Sequence, residues 1–192
     1  MSKPVIGILA LQGDFAAHGH ILDRIGIPHT EIRLPEQLAP IQGLIIPGGE
    51  STTLIKLLEA FHLIEPIKAF YEKGGAIFGT CAGSILVAKH IRNSEQFRFG
   101  FIDITVIRNG YGRQIDSFEK DITVHLPEPV LYHAVYIRAP KIIACGHNVR
   151  VLSRMEDHIL AAESERILVT TFHPELTDDE RIHAYFVHHI IR

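Results

Sequence analysis

The stretch Gly74-Gly75-Ala76-Ile77-Phe78-Gly79-Thr80-Cys81-Ala82-Gly83-Ser84-Ile85-Leu86-Val87-Ala88-Lys89 decides how this chain is read. Ala76-Ile77-Phe78 is a short apolar run of the kind that forms a buried strand. Gly79-Thr80-Cys81-Ala82-Gly83 is a tight turn, and Ser84 to Lys89 opens a helix with Leu86, Val87 and Ala88 able to face a core. Cys81 stands at the apex between strand and helix. A nucleophile placed there is held in a sharp, often strained turn and projects into a cleft. Gly79 and Gly83 remove Cβ atoms where backbones must approach closely. The helix start supplies free N–H groups and about half a positive charge, both of which favour an anion. Anionic sulfur is the nucleophile in cysteine chemistry. A buried structural cysteine beside a turn is the competing reading, and the Gly-x-Cys-x-Gly frame alone does not separate the two.

Working outward, Val5 to Leu11 is a continuous apolar run, the pattern of a central parallel strand, followed by a loop at Gln12-Gly13-Asp14. Phe15 to Ile25 reads as a helix with Ile21, Leu22 and Ile25 inward, closed by Gly26. Thr30-Glu31-Ile32 and Gly43-Leu44-Ile45-Ile46 are the next strands. Leu54, Leu57, Leu58 and Phe61 then fall at i, i+3, i+4 and i+7, an amphipathic helix, and another spans about Glu65 to Lys73. The order β-α-β-β-α-β-α predicts an α/β fold, a doubly wound, mostly parallel sheet flanked by helices. Ligands of such sheets gather at the carboxyl ends of the strands, where the loops at Gln12, Gly48-Gly49 and Cys81 all lie. From Phe99 the pattern changes. Ile102 to Ile107 alternates, and Ile122-Thr123-Val124, Val135-Tyr136-Ile137 and Val149 to Leu152 resemble it, which predicts an added antiparallel portion. His158 to Ala162 and Arg166 to Phe172 form a late hairpin. Thr177-x-x-Glu180 is a capping-box pattern for a final helix to about Ile191, with Ile182, Tyr185, Phe186 and Ile190 inward.

With 192 residues and no linker or repeat, residues 1–192 read as one domain. A net charge of −3 gives no basic surface for nucleic acid, and no apolar run is long enough to span a membrane. Two cysteines, Cys81 and Cys145, make no disulfide framework and fit a reducing cytoplasm. Cys145, before Gly146 at the end of an apolar run, reads as core packing.

Thiolate attack on a carbonyl carbon needs a base that later protonates the leaving group, a role that suits histidine. A carboxylate then fixes the imidazole tautomer. His173-Pro174-Glu175 offers both at the end of a strand, with Pro174 stiffening the link. The other twelve of the 13 histidines lack such a frame and read as surface or packing residues. His183, His188 and His189 are not completed by the further ligands a metal needs. The Gly48-Gly49 loop is either an ordinary connection or a place where backbone N–H groups receive an oxyanion or carboxylate. It lacks the Lys-Ser/Thr ending of a phosphate-binding loop. Arg108 and Arg138 are either solvated charges or clamps for a carboxylate.

The elbow Gly79-Thr80-Cys81-Ala82-Gly83 and His173-Pro174-Glu175 resemble the two halves of the triad of class I glutamine amidotransferases. More narrowly the chain resembles the PdxT family, the glutaminase subunits of pyridoxal 5′-phosphate synthase. Leu11-Gln12-Gly13-Asp14, Pro47-Gly48-Gly49-Glu50-Ser51-Thr52-Thr53, Arg108-Asn109, Gly112 through Glu119, Ile137-Arg138-Ala139-Pro140 and Phe172 through Thr177 carry that resemblance. It implies a single-domain class I glutamine amidotransferase-like fold and hydrolysis of L-glutamine to glutamate and ammonia. Cys81 would be the nucleophile, His173 the base and Glu175 its orienter. Backbone N–H groups at Gly49 and Ala82 would form the oxyanion hole, and Gly49, Glu50, Ser51, Arg108, Ile137 and Arg138 would hold glutamine. It further implies no cofactor or metal, and transfer of ammonia to a separate (β/α)8-barrel synthase subunit. Two departures stand out. Ser84 replaces a larger apolar residue, which is expected to loosen packing under the elbow, and Gly110 is expected to add flexibility to the arginine loop. A glutaminase serving another synthase, a cysteine hydrolase of related fold and a non-catalytic binding module are the alternatives. The first lacks support from the longer strings, the second needs neither the arginine loop nor Gly-Gly-Glu-Ser, and the third needs no triad.

Overall fold

The computed structural model describes residues 3–92, 94–112 and 117–191. Ten strands form one sheet. On one side β1 (Ile6–Leu9), β2 (His29–Ile32), β3 (Gly43–Ile46) and β4 (Ala76–Thr80) run parallel in the order β2-β1-β3-β4. Helix α1 (Phe15–Arg24) connects β1 to β2, a short 3-10 turn at Pro35–Leu38 precedes β3, and α2 (Ser51–Ala60) with α3 (Ile64–Glu72) connects β3 to β4. After β4 come α4 (Ala82–Val87), β5 (Ala88–Arg92) and β6 (Ile102–Ile107). A separate two-stranded ribbon, β7 (Ser117–His125) with β8 (Pro129–Ile137), follows, and then β9 (Lys141–Cys145), β10 (Arg150–Met155), β11 (His158–Ser164) and β12 (Ile167–Thr170). Strand β12 returns to lie parallel to β4, so the large sheet continues β4-β12-β11-β9-β6-β5 with antiparallel pairing between β12 and β6. The chain ends in α5 (Arg181–Tyr185), which widens into a π turn over Phe186–Ile190.

Alternation along the central strands explains why their sequences are continuously apolar. Leu44, Ile46, Ile77, Ile167 and Val169 enter a core with Leu54 and Leu58 of α2. Ile6, Ile8, Ile45, Phe78 and Leu168 enter a second core on the other face with Leu22 of α1 and Phe186. Each such side chain contributes about 2 kcal/mol when fully buried. Both faces are therefore covered, as the βαβ connections require.

Two element ends differ from the sequence expectation. The helix after Cys81 stops at Val87, and Ala88 to Arg92 pairs with β6 as a strand instead of continuing the helix toward Lys89. The capping box at Thr177 does not form. The helix starts at Arg181; the Thr177 hydroxyl accepts from Asp179 N–H at 3.3 Å instead of from Glu180, and also bonds to Pro174 O at 3.2 Å and to Tyr132 Oη at 3.1 Å. Arg113-Gln114-Ile115-Asp116 of the arginine loop lie outside the described residues. Among the described residues no helix is long and apolar enough to cross a membrane.

Candidate active site

Four loops at the carboxyl ends of β1, β3, β4 and β12 meet at one place. The β4 loop carries Cys81, whose backbone has φ 47° and ψ −106°. A non-glycine residue at positive φ is strained, and that strain is what turns the side chain out of the strand line. The glycines around it are sterically required. A Cβ on Gly83 would stand 2.0 Å from the Ile46 carbonyl oxygen, and one on Gly79 would stand 2.7 Å from the Gly83 carbonyl carbon. The Cys81 N–H is bonded to Thr170 O at 2.9 Å, tying the elbow to β12. Ser84 is fully buried and its hydroxyl donates to the Cys81 carbonyl at 2.7 Å. So Ser84 does not loosen the packing under the elbow; it supplies a hydrogen bond there that an apolar residue could not.

His173 is delivered by the turn after β12. Thr170 Oγ1 donates to Phe172 O at 3.0 Å, and His173 N–H donates to Val135 O at 2.8 Å. Pro174 then opens a 3-10 turn, Pro174–Leu176, that folds Glu175 back under the imidazole. His173 Nδ1 is 2.8 Å from Glu175 Oε1. The acceptor-only carboxylate requires the proton on Nδ1, which leaves Nε2 for the chemistry. His173 Nε2 has no hydrogen-bond partner among the described residues. Cys81, His173 and Glu175 are 5%, 8% and 5% exposed, so the three sit at the floor of a closed cleft. Burial alone would lower the His173 pKa. Interaction with Cys81 and then with Glu175 outweighs it and holds the imidazole at about 10. Burial likewise works to raise the Glu175 pKa, but neighbouring His18 and His173 bring it below the usual carboxylate value.

The Gly48-Gly49 loop lies directly over this pair. A Cβ on Gly48 would meet His173 Cε1 at 2.3 Å and Cys81 Cβ at 3.2 Å. Gly49 has φ 142°, accessible in practice only to glycine. The loop is anchored from β1: a Cβ on Gly13 would meet Gly48 O at 1.9 Å, and Gln12, with its amide turned so that both groups are satisfied, donates to Glu50 O at 3.0 Å and accepts from Glu50 N–H at 3.3 Å. Glu50 caps α2, accepting from Thr52 N–H at 3.3 Å and Thr53 N–H at 2.7 Å. Against the upward push of its burial, hydrogen bonds from Thr52 and Thr53 lower its pKa to about 2. Arg108 Nη2 reaches Glu50 Oε1 at 3.1 Å, so the two converge on the same rim of the cleft. Ile137 presents its carbonyl to the Cys81 thiol, which donates to it at 3.8 Å. Arg138 is exposed with φ 43° at the next position. Ser51 is buried, and its hydroxyl donates to Gln96 Oε1 at 3.2 Å, so only its backbone is free to face the cleft. Ala82 occupies the first position of α4, where a helix N–H has no intrahelical acceptor. Gly110 packs closely, since a Cβ there would stand 2.4 Å from Lys141 Cγ.

The model of the SNO glutamine amidotransferase family matches residues 8–192. The chain belongs to the SNO glutamine amidotransferase family. Among curated proteins it is 50% identical over 189 residues to the pyridoxal 5′-phosphate synthase subunit PdxT of Carboxydothermus hydrogenoformans, covering 97% of this chain and 98% of the relative. It is 44% identical to the protein of the same name from Listeria welshimeri, covering 97% and 98%. A solved glutamine amidotransferase superposes with a TM-score of 0.88 at 43% identity, covering 94% of this chain and 96% of that one. The PurLQS structure from Thermotoga maritima, 15% identical with a TM-score of 0.68 over 96% and 98% of the two chains, shares the fold.

Within this SNO-family site, sequence reasoning missed three polar residues. His18 and His183, expected at the surface or in packing, are both fully buried, as is Thr80; His18 lies 3.5 Å from Glu175, and His183 and Thr80 in turn contact His18. A signal existed: His18 stands with Ile21, Leu22 and Ile25 at i, i+3, i+4 and i+7, on the inward face of α1. His158 is also buried, bonded at 2.8 Å to the Tyr111 hydroxyl. Among the described residues no three His, Cys, Asp or Glu side chains gather as a metal site.

Proposed function

We propose that the chain hydrolyses L-glutamine to glutamate and ammonia through Cys81, His173 and Glu175, as the glutaminase subunit of a pyridoxal 5′-phosphate synthase. The observation that carries this reading is the 2.8 Å contact between His173 Nδ1 and Glu175 Oε1 beside the strained Cys81. With the Cys81 thiol proton transferred to His173 Nε2, the sulfur attacks the side-chain amide carbon of glutamine, and the developing oxyanion is met by the backbone N–H groups of Gly49 and Ala82. The proton on His173 Nε2 passes to the amide nitrogen, ammonia leaves and a γ-glutamyl thioester remains. His173 then takes a proton from water, the hydroxide attacks the thioester carbon, and glutamate leaves as the Cys81–carbon bond breaks. Loss of one oxyanion donor in such a site costs about 3 kcal/mol of transition-state stabilisation.

Gly49, Glu50, Ser51, Arg108, Ile137 and Arg138 would hold glutamine, Ser51 through its backbone. Residues 1–192 act as one glutaminase domain without a cofactor of its own. Ammonia passes to a separate (β/α)8-barrel synthase subunit in the cytoplasm. Docking of that subunit near Gln12 to Phe15 reorders the peptide at Gly48-Gly49, since Gln12 and Gly13 hold that loop directly. The test is glutamate release from glutamine by the purified chain, alone and with its synthase subunit, alongside Cys81→Ala. Turnover that rises with the partner and vanishes in the variant is expected. Turnover that survives Cys81→Ala overturns the reading of the nucleophile, and full turnover without the partner overturns the activation step.

A further inference from the structure

Behind Glu175, on the side away from Cys81, lies a chain of buried polar groups that the reaction does not use. Glu175 Oε1 is taken by His173, but Oε2 is buried and has no hydrogen-bond partner among the described residues. The nearest polar group is His18, whose Nε2 makes a charge contact with it at 3.5 Å and a hydrogen bond with Thr80 Oγ1, also at 3.5 Å. On its other side His18 Nδ1 is 2.8 Å from His183 Nε2. Phe78 stands edge-on to both imidazoles, with ring centroids 6.3 Å and 5.6 Å away, and screens the pair from water.

The protons in this chain are constrained. A carboxylate only accepts, so a neutral His18 serves Glu175 only with its proton on Nε2. His18 Nδ1 is then an acceptor, and the 2.8 Å contact requires His183 to donate its Nε2–H. That leaves a lone pair on His183 Nδ1, and this nitrogen is indeed without a partner. An unmet acceptor is the more tolerable orphan in a protein interior; an unmet N–H is rarer. The opposite tautomers would point a lone pair of His18 at the carboxylate. The charged groups facing His18 are Glu175, His173 and Asp14, and those facing His183 are His18 and Arg24. Burial, the largest influence on each, pushes both imidazoles toward the neutral form.

We propose that His18 is a positioning residue of the triad, holding the free oxygen of Glu175 through its Nε2–H, with His183 fixing the tautomer that makes this possible. A carboxylate gripped at one oxygen can pivot about its last bond, and the His173 ring pivots with it. A second donor on the opposite oxygen fixes the carboxylate plane, and hence the direction of His173 Nε2. This inference rests on the glutaminase reading.

The test compares His18→Leu, His18→Gln and His18→Asn in the full chain. Glutamine carries its amide nitrogen near the Nε2 position, whereas asparagine places one near Nδ1. Two readouts are used: glutamate release with the synthase subunit bound, and the pH profile of Cys81 alkylation by iodoacetamide in the chain alone. His18→Leu is expected to lower kcat about ten- to a hundredfold, the range for losing a buried hydrogen bond to a charged group. KM for glutamine stays near its original value, and the alkylation profile moves to higher pH as the imidazolium loses its anchor. His18→Gln recovers most of both and His18→Asn does not. A folded His18→Leu with the original kcat and alkylation profile overturns the proposal, as does a loss confined to KM. If His18→Leu does not fold, equal losses in the Gln and Asn variants overturn it. Glutamate release surviving Cys81→Ala would instead remove the glutaminase reading, while the alkylation profiles would still report whether His18 holds the triad.

Discussion

Replacing Gly48 by alanine tests the site with one added methyl group. The new Cβ would stand 2.3 Å from His173 Cε1. Ordinary carbon contact is about 3.5 Å, so the shortfall is about 1.2 Å. The imidazole cannot absorb it by turning aside, because Nδ1 is bound to Glu175 at 2.8 Å and the His173 backbone is bound to Val135 at 2.8 Å. Nor can the methyl slide the other way, where Cys81 Cβ waits at 3.2 Å. Either His173 leaves its aligned position or the Gly48-Gly49 loop lifts off its anchor at Gln12. A misplacement of about 1 Å in a catalytic group costs about a hundredfold in rate, equivalent to about 2.7 kcal/mol of barrier. The expected result is a drop of that size in kcat/KM for glutamate release by the partner-bound chain. The fold should lose less, since the strain lies at the strand ends and overpacking typically costs about 1–3 kcal/mol. Melting temperature and the iodoacetamide profile of Cys81 separate the two effects. Gly48→Ala with kcat/KM within about threefold of the parent, less than 1 kcal/mol of barrier, would refute the claim that Gly48 is glycine because His173 needs its space.

Ser84→Ala removes the hydroxyl that donates to the Cys81 carbonyl at 2.7 Å; thermal unfolding should show a loss of about 1 kcal/mol, with less turnover lost than in Gly48→Ala. Glu50→Gln weakens the α2 cap by about 1 kcal/mol at neutral pH. Since folding lowers the Glu50 pKa from 4.5 to about 2, that contribution is present above pH 4.5 and disappears as pH falls toward 2. Melting curves of parent and variant should therefore differ most near neutrality and converge in acid, with the difference reduced by solvent screening of this half-exposed side chain. Arg108→Ala removes the cation paired with Glu50 at 3.1 Å and is expected to raise KM for glutamine by about tenfold or more with a smaller effect on kcat, read from steady-state glutamate release.

The parallel half of the fold was legible because its two signals agree. Val5 to Leu11 and Leu44-Ile45-Ile46 are apolar at every position, which only a strand covered on both faces requires, and the amphipathic period of α2 names the cover. Where signals conflicted, tertiary structure decided. Ala88-Lys89 reads as a helix continuation, yet Ala88 to Arg92 becomes a strand because β6 offers it an open edge with Ala88 opposite Ile102. Thr177 has the spacing of a capping residue, but its hydroxyl is drawn to Tyr132, 45 positions away in sequence. No local pattern carries that competition.

The same division runs through the active site. Cys81, His173 and Glu175 stood out in the sequence because each sits in a short frame whose glycines or proline dictate local backbone geometry. Gly83 must be glycine for Ile46 O, and Pro174 starts the turn that returns Glu175 to His173. His18 and His183 have no such frame. They are separated by 165 positions and meet only because α1 and α5 pack against the same face of β4, where Phe78 stands edge-on to both rings. A histidine on the inward face of an amphipathic helix therefore poses a question that sequence can raise and only packing can answer: whether its ring nitrogens face apolar atoms or a partner. Here one of them lies 3.5 Å from the unpartnered oxygen of Glu175, and the α1 that holds it begins directly after the Gln12-Gly13 loop that packs on Gly48 and Glu50. The loop that touches Gly48 and the helix that sets His18 beside Glu175 therefore both leave the end of β1.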